Sequence, residues 1–197
     1  MKVLGLILAG GQSRRMGGKD KAFIRLKDKP LIDYALARLA PQVAQILINS
    51  NAEQKVFASC DVPIIADSIT GFLGPLAGIH AGLTWAKTHD FSHMVSISVD
   101  APFFPHDLVK RLCAEGKDFA CAHSNGRAQP VFGLWPAHCL EALEAFLQQG
   151  GRKVDAFTAS FDLAKPNWPP EFFFNINTPT DLQDAEKMLD LNRNNKL

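Results

Sequence analysis

The residues with the most evident chemistry lie in one short stretch, "LAGGQSRRMGGKDK", from Leu8 to Lys21. Its paired glycines, Gly10 with Gly11 and Gly17 with Gly18, let a backbone approach a ligand closely and turn N–H groups toward an anion. Arg14, Arg15, Lys19 and Lys21 supply the positive charge that a triphosphate demands. The stretch is not a Walker A loop: Gly18-Lys19 is followed by Asp20, and Ser13 stands where the first glycine is required. Nor does "GGQSRRMGG" have the spacing of a dinucleotide-binding G-x-G-x-x-G turn. The alternative is a basic surface loop with no ligand, which rarely follows an apolar strand so tightly.

Three further side chains could share such a site. Asp100, in "SVDAPF", stands at the end of an apolar run, and a single carboxylate there suits Mg²⁺, which takes few carboxylates together with substrate phosphate oxygens. A helix cap or turn residue is the alternative. Asn49 and Asp67 end two other strand-like runs, so both could face the same pocket or be ordinary turn residues. A carboxylate at Asp67 could accept hydrogen bonds from N1–H and the 2-amino group of guanine, an edge adenine does not offer. His89 and His93 have i,i+4 spacing, but "HDFSH" lacks the glutamate of a zinc helix, and a helix-to-strand boundary is expected between them. No serine sits in a G-x-S-x-G elbow, and no cysteine has a nucleophile motif.

These positions need a frame that brings strand ends together. "VLGLIL" reads as a central parallel strand covered on both faces, and "KPLIDYALARLAPQ" has helical apolar spacing. "AQILINS" and "VPIIAD" read as strands, "GPLAGIHAGLTWAKTH" as a helix, "HMVSISVDAP" as a strand ending at Asp100, and "PHDLVKRLCAEG" as a helix. In "GPLAGIHAGL" the small residues serve either a close approach to substrate or tight helix–sheet packing. "FACAHSNGRAQPVFGLWP" suggests an antiparallel excursion around "SNGR", followed by the helix "CLEALEAFLQQ". "PPEFFFNINTPTDLQDAEKML" reads as strand, turn and helix, with Thr178 or Thr180 as cap and Phe172–Phe174 as core strand. Asn175 and Asn177 then share one face of an extended segment. The expectation is a doubly wound, mostly parallel α/β sheet in one domain, 1–191, with 192–197 as a frayed tail.

Bulk composition narrows the partners. The chain has 197 residues, and Lys plus Arg (21) nearly balances Asp plus Glu (20), so no global charge argues for nucleic acid or a membrane surface. The four cysteines, Cys60, Cys113, Cys121 and Cys139, form no C-x-x-C pair and suit a reducing compartment. With no stretch long enough to span a bilayer and an N-terminal run that reads as a buried strand, a cytoplasmic location is expected.

The segment "LAGGQSRRMGGKDKAFIRL", followed by "KPLIDYAL", resembles the opening signature of nucleotidyltransferases with a Rossmann-like fold. It is most similar to that of the molybdenum cofactor guanylyltransferase family. The glycine-rich opening indicates only the superfamily, whereas "NSN", "GPLAGI", "VSISVDAPFFP", "RAQPVFGLW" and "NINTP" together narrow it. The resemblance implies Mg²⁺-dependent transfer of GMP from GTP to the terminal phosphate of molybdopterin or Mo-molybdopterin, with release of pyrophosphate. It implies that Lys21, Asp100 and Arg15 are catalytic and that Asp100 holds the Mg²⁺. It places the nucleotide against Leu8, Ala9, Gly10 and Gly11, with Lys21, Asn49, Asp67 and Asp100. It also sets Asn175 or Asn177 near metal or acceptor, and Gln129 and Pro130 near the pterin. Molybdoenzymes or their insertion chaperones are the implied protein partners. A sibling enzyme using CTP or a sugar-phosphate acceptor, or a non-catalytic nucleotide-binding protein of this fold, are the other possibilities.

Overall fold

The computed structural model describes residues 1–10, 20–69, 71 and 74–194. In chain order its strands are β1 (Val3–Leu8), β2 (Arg25–Leu26), β3 (Lys29–Pro30), β4 (Gln45–Asn49), β5 (Ile64–Ile65), β6 (His93–Ser98), β7 (Phe119–Ser124), β8 (Arg127–Pro136) and β9 (Leu163–Ala164). Its helices are α1 (Leu31–Leu39), α2 (Pro75–Thr88), α3 (Leu108–Ala114), α4 (Leu140–Gln148), α5 (Val154–Thr158) and α6 (Pro179–Asn194).

Seven strands form one sheet in the order β5-β4-β1-β6-β8-β7-β9, while β2 and β3 make a separate small hairpin. β5, β4, β1 and β6 pair in parallel, β8 runs antiparallel to both β6 and β7, and β9 is parallel to β7. The continuous apolar run of β1 explains its central place, because all six residues are buried. Val3 and Ile7 enter one core with α1, α3 and α6, whereas Leu4, Leu6 and Leu8 enter the other with α2, α4 and α5. Alternation along a strand thus serves two helical layers at once. The doubly wound expectation holds, and so does the antiparallel excursion: β7 and β8 join through Asn125 and Gly126, both at positive φ (49° and 69°), as an Asn-Gly hairpin requires.

Two local expectations are corrected. β6 stops at Ser98, not Asp100: after Val99 N–H bonds Leu8 O (3.2 Å), the chain turns, with Ala101 N–H on Ser98 O. The Phe-rich segment is not a strand but a 3-10 turn, Pro170–Phe173, followed by an extended piece. Pro169 and Pro170 have no N–H for a ladder and fix φ near the helical range. Its aromatic rings are nonetheless core, with Phe173 edge-on to Phe132 at 5.0 Å. The hairpin β2–β3, helix α5 and strand β9 had no counterpart in the sequence reading. Among the described residues no helix is long and apolar enough to cross a membrane.

The connectivity creates one crevice. From β1 the chain steps outward to β4 and β5, then α2 returns it across to β6 on the other side of β1. Strand order therefore reverses beside β1, and the carboxyl ends of β1 and β6 border the place where open α/β sheets bind ligands.

Candidate active site

Three segments far apart in sequence meet at that crevice. Asp20 caps a 3-10 turn, Lys21–Phe23, by accepting Ala22 N–H at 3.0 Å, and this turn aims Lys21 across the edge of the sheet. Burial raises the Asp20 carboxyl above its usual range, and the Ala22 N–H partly counters that. Lys21 Nζ lies 2.6 Å from Asp100 Oδ2, with 16% and 18% of the two side chains exposed. Ser98 Oγ–H donates to the other oxygen, Oδ1, at 2.5 Å. The same ammonium donates to Asn177 Oδ1. Asn177 is held in turn, since Ile176 N–H bonds Asp100 O at 2.8 Å.

A capping box fixes the Asn177 turn from the other side. Asp181 Oδ2 accepts from Asn177 N–H (2.9 Å) and Thr178 N–H (2.8 Å), while Thr178 Oγ1 accepts from Asp181 N–H (3.2 Å). Thr178 is thus the cap of α6 and Pro179 its first residue. The Asn177 N–H, then the Thr178 groups and the Lys21 charge, hold the Asp181 carboxyl below its usual range. The result is one carboxylate and one amide oxygen converging on a single cation. That donor set handles anionic oxygens and positive charge, and it lacks any group suited to be a strong general base.

A second constellation lies two strands away. Ala9 N–H bonds Asn49 O at 2.9 Å, which stitches the end of β1 to the end of β4. Asn49 is 4% exposed, and its amide Nδ2–H₂ reaches Asp67 Oδ1 at 3.0 Å. Asn51 closes a reciprocal pair: its Nδ2 donates to Asp67 Oδ2 (2.7 Å) and its Oδ1 accepts from Asp67 N–H (2.9 Å). Both carboxylate oxygens of Asp67 are therefore fixed in direction, each with lone-pair capacity left for a ligand. α2 lies close because Gly78 has no side chain. A Cβ there would fall 2.2 Å from Asn49 Oδ1 and 2.6 Å from Leu8 Cδ2. The small residues of "GPLAGI" thus serve tight packing, and what they make room for is a polar side chain of the candidate site.

The structure brings together Leu8, Ala9, Asn49 and Asp67 on one part of the edge and Lys21 and Asp100 on another. Gly10 is exposed with open space about it. Gly11 and Arg15, like Arg14 and Lys19, lie outside the described residues. Asn175 does not join Asn177; its amide instead donates to Phe173 O at 3.3 Å. Gln129 pairs with Ala122 in β8, and the register slips immediately beyond it, at Pro130 to Phe132. Pro130 brings no N–H to the ladder, and Ser96 Oγ–H instead bonds the bulged Val131 O at 2.5 Å. His89 caps the end of α2 and stacks on Trp85, while His93 opens β6, so the two do not form a metal pair. Among the described residues no three His, Cys, Asp or Glu side chains gather as a metal cluster. Ser98, Asn51 and Asp181 escaped the sequence reading, although "TPTD" carries the spacing of a capping box.

The MobA-like NTP transferase domain matches residues 5–162. The chain is 42% identical over 196 residues to a molybdenum cofactor guanylyltransferase from Bradyrhizobium sp. (strain ORS 278), covering 94% of this chain and 92% of that protein. It is 41% identical over 191 residues to a molybdenum cofactor guanylyltransferase from Cereibacter sphaeroides, covering 96% and 98%. The crystal structure of molybdopterin-guanine dinucleotide biosynthesis protein A from Archaeoglobus fulgidus is similar with a TM-score of 0.76 at 26% identity, covering 95% of this chain and 98% of that one.

Proposed function

The chain belongs to the MobA-like NTP transferase family, and on that premise we propose that it is a molybdenum cofactor guanylyltransferase. It transfers GMP from GTP to the terminal phosphate of molybdopterin or Mo-molybdopterin and releases pyrophosphate. The observation that carries this reading is the convergence of Lys21, Asp100 and Asn177 at the ends of β1 and β6. In the proposed reaction an acceptor phosphate oxygen attacks the α-phosphorus of GTP in line with the departing pyrophosphate. A phosphate monoester has its second pKa at about 6, so it is largely a dianion at neutral pH and needs no strong base. The absence of such a base from the described site is consistent with that chemistry.

The residues divide the work by charge and shape. Lys21 neutralises phosphate oxygens, and Asp100 and Asn177 hold its ammonium in place before substrate arrives. Arg15 is assigned a second cationic role on the phosphates. Asp67 reads the guanine edge, with Asn49 and Asn51 setting the direction of its carboxylate. The donor set also fits Mg²⁺, which takes one or two carboxylates with phosphate oxygens and water; Asp100 would hold it, with Asn177 Oδ1 close by. When bound, Mg²⁺ supplies further charge neutralisation on the phosphates.

Pyrophosphate release measured with GTP and molybdopterin, with CTP as competitor, tests the reading. Asp100→Asn should still fold, with a cooperative thermal transition, and lower turnover by at least about a hundredfold, the scale of losing one positioned electrostatic group. Near-normal GMP transfer by that variant at saturating Mg²⁺ sinks the assignment.

A further inference from the structure

Close to Asp67 runs a hydrogen-bonded chain that the reaction does not use. Ser68, the next residue, has its Oγ 2.6 Å from Nδ1 of His80 on α2. His80 Nε2 lies 3.1 Å from Glu144 Oε1 on α4. His80 is 6% exposed, whereas the Glu144 side chain is 44% exposed and reaches solvent. A carboxylate only accepts, so Nε2 carries the hydrogen. Nδ1 then accepts from Ser68 Oγ–H in a neutral ring and donates to Ser68 Oγ in a charged one, so the contact is made either way. A buried imidazole between two helices, satisfied at both nitrogens, is a rigid anchor for whatever it bonds.

What it bonds is the segment that presents Asp67. Asn49 and Asn51 fix the Asp67 side chain from the β4 side. On the α2 side, the Ser68 contact is a polar tie that holds the residue just beyond it. We propose that His80 is a positioning residue for nucleotide-base recognition: through Ser68 it fixes the segment bearing Asp67, and Glu144 fixes the ring. The inference rests on the reading of Asp67 as the guanine-reading group. It adds a device in which α4, remote from the phosphates, bears on which nucleotide is accepted.

The test separates the two ends of the ring. The amide of asparagine places an acceptor near the position of Nδ1, whereas glutamine reaches toward the position of Nε2. Ser68→Ala and His80→Gln should raise KM for GTP about tenfold with kcat within about twofold, the signature of lost uniform binding worth one hydrogen bond. His80→Asn should hold KM within about threefold of wild type, since the Ser68 contact is retained. The preference for GTP over inosine triphosphate, which lacks the 2-amino group, should shrink in the first two variants and persist in the third. KM for molybdopterin should not move, and melting curves report folding for each protein. Unchanged KM for GTP in Ser68→Ala and His80→Gln, or a loss shared equally by kcat and by the acceptor KM, overturns the proposal. The wild-type arm decides the underlying reading separately. If wild type prefers CTP, guanine reading by Asp67 falls, and the same variants scored on KM for CTP still decide whether His80 positions the base segment.

Discussion

Gly78→Ala puts the packing argument under direct strain. The added methyl carbon would sit 2.2 Å from Asn49 Oδ1, 2.8 Å from Asn49 Cγ and 2.6 Å from Leu8 Cδ2. Non-bonded heavy atoms settle at about 3.5–4.0 Å, so the Asn49 amide must move by roughly 1 Å or more. Its hydrogen bond to Asp67, now 3.0 Å, then passes beyond useful length. A bond to a charged group contributes about 1.5–3 kcal/mol, and overpacking against Leu8 costs about 1–3 kcal/mol. The better helix propensity of alanine returns about 1 kcal/mol. The balance is a destabilisation of about 1.5–5 kcal/mol, or a fall in Tm of roughly 3–20 °C for a chain of this size. KM for GTP should rise about tenfold, because the clamp on Asp67 loosens. Gly82→Ala is the control: its Cβ would meet Met94 Sδ at 2.6 Å and Leu6 Cδ2 at 2.8 Å, with no polar partner involved. It should lower Tm and leave KM for GTP unchanged. In an Asn49→Ala background, Gly78→Ala should cost measurably less, a coupling that a double-mutant cycle reads. A Gly78→Ala protein with wild-type KM for GTP, or with no coupling to position 49, refutes the reasoning.

Two predictions concern groups with displaced acidities. The Asp181 carboxyl is held low in the folded protein, so its contribution to stability is present above its unfolded pKa and lost as pH falls through the folded value. The difference in urea stability between wild type and Asp181→Asn should therefore be largest above about pH 4 and shrink below it; a constant difference from pH 2.5 to 7 excludes the capping box as its source. Burial pushes the Cys121 thiol up to about 11 and the Cys139 thiol up to about 12, and it also raises the half-buried Cys60 and Cys113. Iodoacetamide at pH 8 should leave Cys121 and Cys139 unlabelled in the native protein and modify all four after denaturation; rapid native labelling of either buried thiol contradicts the packing of β7 and α4.

How far the sequence disclosed this site depends on whether a signal was local. β1 was legible because a short continuous apolar run ending in glycines fits a doubly covered strand, whereas Asn49, at the end of another such run, took its role only from the family resemblance. Asn51 was not, since its value lies in a reciprocal pair with Asp67 sixteen residues on. The chain from Ser68 through His80 to Glu144 joins residues twelve and sixty-four positions apart, and neither spacing has a helical or strand period. "EFFFN" carries strong strand preference, yet two preceding prolines override it with a turn. β9 has two residues and α5 five, too few for periodicity to register. The bulge at Pro130 was hidden for another reason: a proline inside a strand marks an irregularity, but the partner strand decides how many residues it absorbs.

The order of strands converts these separate contacts into a direction for the ligand. Along the edge, β5 leads to Asp67, β4 ends in Asn49, β1 ends in Leu8 and β6 leads to Asp100. At about 4.8 Å per strand, β5 and β6 are roughly 14 Å apart, so one molecule engaging Asp67 and Asp100 must lie extended across the strand ends. Charge sets its polarity. Lys21 sits at the β6 end, and two amides clamp a carboxylate at the β5 end. On the proposed function a nucleotide would lie with its phosphates toward β6 and its base toward β5, whichever base it carries. On the same reading the acceptor would approach from beyond β6, where β8 is the next strand. Because β8 runs backward, this edge meets its beginning rather than its end, and the register slip at Pro130 to Phe132 falls in that beginning. A parallel strand in that place would be followed by a crossover connection at the same edge, crowding the approach to the phosphates. The reversed strand instead brings Gln129 and a distorted ladder to the side from which the acceptor would approach on the proposed reading.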